Sequence, residues 1–175
     1  MKYIYIGKLH STHGLKGELK LTTDFKYKDN ILKEDFNFYI GEEKHHVKLK
    51  KQRKHNKYIL LTFKNLEDIN LVENLRNKKI YINKEDLNLK ENEYVFEDYI
   101  NLNCYYKEKN IGKVKDIIDC GNKNYVLEIQ GKEEVLVPLN DNFIEKVIKE
   151  DRIILKNVEG LLNEDWYINT ISLNV

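Results

Sequence analysis

The sequence predicts a mainly β protein made of two small β-barrels joined by a short linker. Three observations predict it. Apolar segments of four to eight residues recur along the chain, alternating in polarity and bounded by turn residues, as barrel strands are. A single stretch, 66–76, changes to helical spacing. The charge also changes sign midway: 16 Lys and 2 Arg against 10 acids leave residues 1–83 at +8, while 11 Lys and 1 Arg against 19 acids leave 84–175 at −7. A polar segment, 84–93, lies at that change and has the composition of an interdomain connector. The expected organisation is a basic barrel over 1–83, a linker over 84–93, an acidic barrel over 94–162 and a tail over 163–175.

In the first half, strands are expected at 3–9, 18–23, 36–40, 47–51, 58–63 and 79–82. Leu66, Ile69, Leu71, Val72 and Leu75 fall at helical spacing, Asn65 can cap the start, and Glu67 and Asp68 stand in the first turn. A helix of about three turns over 66–76 is therefore expected. In the second half, an aromatic-rich entrance at 94–100 leads into strands at 102–106, 111–118, 125–130, 133–138 and 153–156. Pro138, the only proline, should end its strand, where a missing N–H does little harm. Residues 160–175, with Leu161, Leu162, Trp166 and Tyr167, have no evident partner in this pattern.

Composition excludes several classes. At 34% charged and 41% hydrophobic the chain has a folded, water-soluble balance. No apolar run approaches the roughly 20 residues of a membrane-spanning helix, and residues 1–7 are too short an apolar stretch for a signal-peptide core. A cytoplasmic protein with no membrane partner is expected. Cys104 and Cys120 form no Cys-x-x-Cys pair and are both expected to be reduced and structural.

Two segments of the basic half stand out. His13-Gly14-Leu15-Lys16-Gly17-Glu18 places two glycines where the chain must reverse between strands. A hairpin turn accounts for this geometry. A KH-type backbone clamp would want flanking helices, and a P-loop would need Gly-Lys-Ser/Thr. From Lys44 to Lys57 the chain carries six lysines, Arg53 and three histidines with no acid. Such a run is often only a solvated face, but without a single acid it reads as a surface able to neutralise phosphates. Lys48, Lys50, Lys51, Arg53, Lys54 and Lys57 are the candidate RNA-binding residues.

Other chemistry finds little support. His10 and His13, or His45 and His46, would point to opposite faces of a strand and make poor chelating pairs. No His-Glu-x-x-His, Gly-x-Ser-x-Gly or dinucleotide fingerprint occurs. No metal, cofactor or catalytic residue is therefore expected, and the chain reads as a non-enzyme. In the acidic half most aromatics should fill the core. Tyr94 and Phe96, at the entrance, are candidate anchors for a basic protein partner.

Taken in order, these segments resemble the RimM family of ribosome maturation factors. Ile6-Gly7-Lys8 with His13-Gly14-Leu15-Lys16-Gly17-Glu18-Leu19-Lys20 is similar to its N-terminal signature. Lys54-His55-Asn56, the 66–75 helical stretch and Ile80-Tyr81-Ile82 follow in the family's order. Glu93-Tyr94-Val95-Phe96-Glu97-Asp98-Tyr99-Ile100 resembles the entrance of its PRC-barrel domain, with Ile111-Gly112-Lys113-Val114, Leu136-Val137-Pro138 and Val158-Glu159-Gly160-Leu161-Leu162 behind it. The chain departs from the family at two points: Val95 separates Tyr94 from Phe96, where two adjacent aromatics are often found, and Asn101 stands where Gly is common.

The resemblance implies an N-terminal six-stranded barrel like the second domains of translation factors, followed by a PRC barrel. It also implies a role, without catalysis, in maturing the head of the small ribosomal subunit. The implied partners are a head protein, small-subunit protein nineteen, and the immature subunit with its 16S ribosomal RNA; the chain itself is expected to be a monomer. A basic barrel suits RNA and an acidic one suits a basic ribosomal protein. The rival readings are an RNA-acting enzyme, or a PRC-type docking module of a non-ribosomal complex.

Overall fold

The computed structural model describes residues 2–162 and divides into two compact units, one through Asn88 and one from Leu89. The boundary falls inside the polar segment at which the charge changes sign. The expectation of a mainly β chain is borne out.

The first unit is a closed six-stranded barrel. Its strands are β1 (Tyr3–His13), β2 (Glu18–Thr22), β3 (Asn37–Ile40), β4 (His45–His55), β5 (Tyr58–Phe63) and β6 (Lys79–Asn83), paired in the order β1-β2-β5-β4-β3-β6. Closure leaves this sheet without an exposed edge. The interior comes from alternation along five strands, with Ile4 and Ile6, Leu19 and Leu21, Phe38 and Ile40, Val47 and Leu49, and Ile80 and Ile82 all buried, while β5 buries Leu60 through Phe63 in succession. Each fully buried Ile or Leu stabilises the unit by about 1.5–3 kcal/mol over leaving it exposed.

Three features differ from the sequence expectation. A one-turn helix, α1 (Lys28–Ile31), sits in the β2–β3 connection and buries Ile31 completely. The expected three-turn helix over 66–76 is shorter: α2 (Ile69–Val72) followed by a 3-10 turn, Glu73–Leu75. Asn65 adopts a left-handed φ of 63° and is outside the helix, so the cap is Asp68, whose carboxylate accepts from the Asn70 N–H at 2.8 Å. Leu71, on the supposed apolar stripe, is 52% exposed, while Val72 and Leu75 are buried. Residues Lys84–Leu87 form another 3-10 turn, with Leu87 buried and the Lys84 N–H donating to the Lys2 carbonyl.

The second unit holds β7 (Asn103–Tyr106), β8 (Lys109–Asp119), β9 (Tyr125–Gln130), β10 (Glu134–Pro138), β11 (Ile144–Ile148) and β12 (Arg152–Leu155). They form one sheet in the order β10-β9-β8-β7-β12-β11. All pairs are antiparallel except β7 with β12, which run parallel. Val137 from one edge strand, and Ile144 and Val147 from the other, pack on a single core with Cys104, Val114, Leu127, Ile129 and Ile153. The sheet therefore curls into an open barrel. Pro138 ends β10, as expected. β11 was not expected, because Glu145 and Lys146 interrupt its apolar pattern. Cys104 is wholly buried, and burial pushes its thiol up to about 12, so it is inert packing as expected; Cys120, expected to be structural too, is instead exposed on the turn after β8 and free. Leu162 packs on this core, whereas the expected tail over 163–175, with Trp166 and Tyr167, lies outside the described residues.

Candidate functional site

The basic run forms β4 and its two-residue turn into β5. Up to Leu49 it alternates cleanly, with Val47 and Leu49 buried and Lys48 and Lys50 exposed. A bulge between Leu49 and Lys51 then breaks the register with β5, and every residue from Lys50 to Lys54 is exposed. Beyond the bulge Lys51 lies opposite Thr62, Arg53 opposite Leu60, Lys54 opposite Ile59 and His55 opposite Tyr58. Asn56 turns the chain at a φ of 54°, with Lys57 exposed beside it.

β5 also pairs with β2, and this brings the 13–18 loop to the same place. Lys20 and Arg53 both lie opposite Leu60, so the three share one face of the sheet. The His13 and His55 rings are 4.5 Å apart, and the His10 ring is 5.6 Å from that of Tyr58. His10 Nε2 lies 2.7 Å from Thr22 Oγ1. The loop is pinned from below: the Ile69 N–H donates to the Leu15 carbonyl at 3.1 Å, and Gly17 packs against the backbone of Leu66 and Asp68. Leu15 is 78% exposed at the tip, with Lys16 beside it.

The six candidate cations fall into two classes. Arg53 donates two hydrogen bonds to Glu18, at 2.8 and 2.7 Å, and Lys50 donates one to Glu67 at 2.8 Å. The Arg53 guanidinium holds the Glu18 carboxyl below the usual carboxylate range, working against a smaller opposing effect of burial. Lys50 does the same to Glu67. Lys48, Lys51, Lys54 and Lys57 have no carboxylate in ion-pair range among the described residues, and neither does Lys16. Glu18 and Glu67 were missed as parts of this surface. Glu18 ends the 13–18 motif itself, but its pairing with Arg53 is a long-range contact.

The second unit's entrance separates the two aromatic candidates. Val95 is buried between them. Tyr94 is half-buried, its hydroxyl donates to the Val147 carbonyl at 3.0 Å, and Lys149 lies over its ring. Phe96 is 44% exposed and meets the Tyr125 ring edge-on at 4.6 Å. The Val95 N–H donates to Asp98 at 3.0 Å, which fixes the turn. Tyr94 thus ties the entrance to β11, while Phe96 presents its ring outward. Ile118 on β8 and Leu136 on β10, the strands either side of β9, are also exposed. Asn101 adopts a φ of 67°, a conformation that Asn tolerates better than most residues, so Gly is not needed there.

Residues 4–87 match the sequence model of the RimM N-terminal domain, and residues 96–161 match that of the RimM PRC barrel domain. The chain belongs to the RimM family. Among curated relatives it is similar to the ribosome maturation factor RimM of Ligilactobacillus salivarius, with 32% identity over 167 residues, covering 92% of this chain and 99% of that one. The RimM of Streptococcus mutans is 31% identical over 172 residues, covering 94% of this chain and 100% of the relative. A crystal structure of a 16S ribosomal RNA processing protein RimM from Pseudomonas aeruginosa matches with 17% identity and a TM-score of 0.45, over 89% of this chain and 97% of that one. Both the 13–18 loop and the basic hairpin fall within the RimM N-terminal match. The RimM PRC match begins at Phe96, two residues after Tyr94. Among the described residues no helix is long and apolar enough to cross a membrane, and no three of His, Cys, Asp and Glu converge on a common point.

Proposed function

We propose that this chain is a non-enzymatic assembly chaperone, working as a cytoplasmic monomer on the head of the immature small ribosomal subunit. The observation that carries this reading is the hairpin surface where Lys48, Lys51, Lys54 and Lys57 stand exposed, with no carboxylate within ion-pair distance among the described residues. Lysines so placed neutralise phosphates and release counterions without ordering a catalytic centre. Arg53 and Lys50 act differently. Through Glu18 and Glu67 they brace the 13–18 loop and the segment ahead of α2, holding the surface in shape.

RNA holding belongs to residues 1–83, protein holding to 94–162, and 84–93 joins them. The acidic second barrel shields the basic head protein, small-subunit protein nineteen, with Phe96 as its outward anchor. Matching potentials then speed encounter with both partners. The curated relatives, named ribosome maturation factors, support the ribosomal setting.

The test is charge reversal. Lys51→Glu, Lys54→Glu and Lys57→Glu together should weaken binding to precursor 16S ribosomal RNA and flatten its salt dependence. Each lost phosphate contact removes a slope of roughly 0.7, the single-strand figure, to roughly 0.9, the duplex-DNA figure, in log K against log salt. In lysate gradients the wild-type chain should travel with immature small subunits, and the triple variant should remain at the top. A triple variant that binds as wild type at low salt sinks the reading of the hairpin.

A further inference from the structure

The outer face of the first barrel carries a second surface, on β1, β6 and β3, which adjoins the first residues of the basic run where β3 pairs with β4. On β1, Tyr3 and Tyr5 alternate with the buried Ile4 and Ile6; on β6, Tyr81 stands between the buried Ile80 and Ile82; on β3, Tyr39 stands between Phe38 and Ile40. Tyr5 lies directly opposite Tyr81, and Tyr81 directly opposite Tyr39, so one row of three tyrosines crosses three adjacent strands. Tyr3 extends the row, its ring 4.8 Å from that of Tyr39, and the Tyr5 and Tyr81 rings are 5.9 Å apart. Lys44 places its ammonium 3.7 Å from the centre of the Tyr81 ring, and the His46 ring is 5.3 Å from that of Tyr39.

None of these tyrosines fills the barrel, which is packed by the residues alternating with them. Tyr5 is half exposed at 50%. We propose that this row is a stacking platform for unpaired bases of single-stranded RNA, with Lys44 meeting a phosphate of the stacked segment. Ring faces accept any base, and a sheet presents them at a spacing close to that of its strands. RNA is favoured over a protein partner because the row belongs to the half of the chain that carries +8 and already holds a cation over one ring. Two acids stand near: Asp86 hydrogen-bonds with Asn37, and Glu42 faces Tyr81. The inference rests on the RNA-binding reading above and adds to it a site specific for unpaired strands. The basic hairpin tracks backbone charge and should not distinguish paired from unpaired RNA so sharply.

The experiment uses the full chain, a labelled oligouridine strand and a fully paired RNA duplex of equal charge. Tyr5→Ala with Tyr81→Ala should raise the Kd for the strand about ten-fold and leave the duplex within about two-fold. Tyr5→Phe with Tyr81→Phe, which keeps both rings, should bind the strand as wild type does. Cross-linking of a thiouridine-substituted strand to the wild-type chain provides a readout independent of the variants' folding, and adducts at Tyr5 or Tyr81 are expected. Unchanged strand binding by a folded Ala variant overturns the proposal, as do equal losses for strand and duplex. So do adducts confined to 48–57, or a loss seen only with a protein partner. If the wild-type chain binds neither RNA, the RNA-holding function itself fails; if wild type and Ala variant bind both RNAs alike, only the stacking platform fails.

Discussion

At Gly17 a single hydrogen decides the loop. Its φ is 65°, and an added Cβ would stand 2.2 Å from the Leu66 carbonyl oxygen. Gly14 has the same φ of 65° but open space around it. Gly17→Ala should therefore cost about 1–3 kcal/mol in urea denaturation and Gly14→Ala distinctly less, since only the first adds a backbone clash to the left-handed strain. Equal losses would mean that φ alone sets the constraint. The entrance aromatics divide in a similar way. Phe96→Ala should weaken capture of the basic head protein by on the order of 2 kcal/mol if the ring is a hot spot, with little change in stability. Tyr94→Phe should instead lower stability by about 0.5–1.5 kcal/mol through the lost bond to Val147 and leave capture nearly intact. Calorimetric titration beside thermal unfolding separates the two; a reversed pattern would exchange their roles.

Among the elements, the β4–β5 hairpin responds to acid through Arg53 and its partner Glu18. Because Arg53 depresses the Glu18 pKa, the pair's contribution is complete above the ordinary carboxylate range and is lost as pH falls through the lower folded value. Wild type should thus lose more stability than Glu18→Gln between about pH 6 and about pH 3, measured by denaturant midpoint. Parallel curves would mean that the pair contributes nothing to folding. The hairpin also marks how far the sequence was legible. β5 has the limits expected for it, because turn residues bound a clean apolar run at both ends. The basic run was visible as composition, but which cations remain unpaired was not, since Glu18 and Glu67 approach from other elements. The helix over 66–76 was over-read because periodicity cannot tell that Leu71 is exposed or that Asn65 turns left-handed. The tyrosine row was hidden for the same reason: Tyr5, Tyr39 and Tyr81 are far apart in sequence and align only through register.

Along the whole chain, the boundary between the two units falls between Asn88 and Leu89, with an exposed lysine, Lys90, just beyond. Brief trypsin treatment should cut first after Lys90 and release two fragments that each resist further digestion. An early cut inside 20–80 or 105–155 would contradict that division. The parallel pairing of β12 with β7 sets an order of events during synthesis. Arg152 lies opposite Asn103, and every residue between them must be made before that ladder can form. Loop closure over such a distance is slow compared with the local hairpins of the same sheet. The first barrel, complete once β6 has emerged, can fold on the translating ribosome while the second still waits. Until β12 arrives, the nascent chain carries β7 with one edge unsatisfied, an aggregation template for as long as translation pauses.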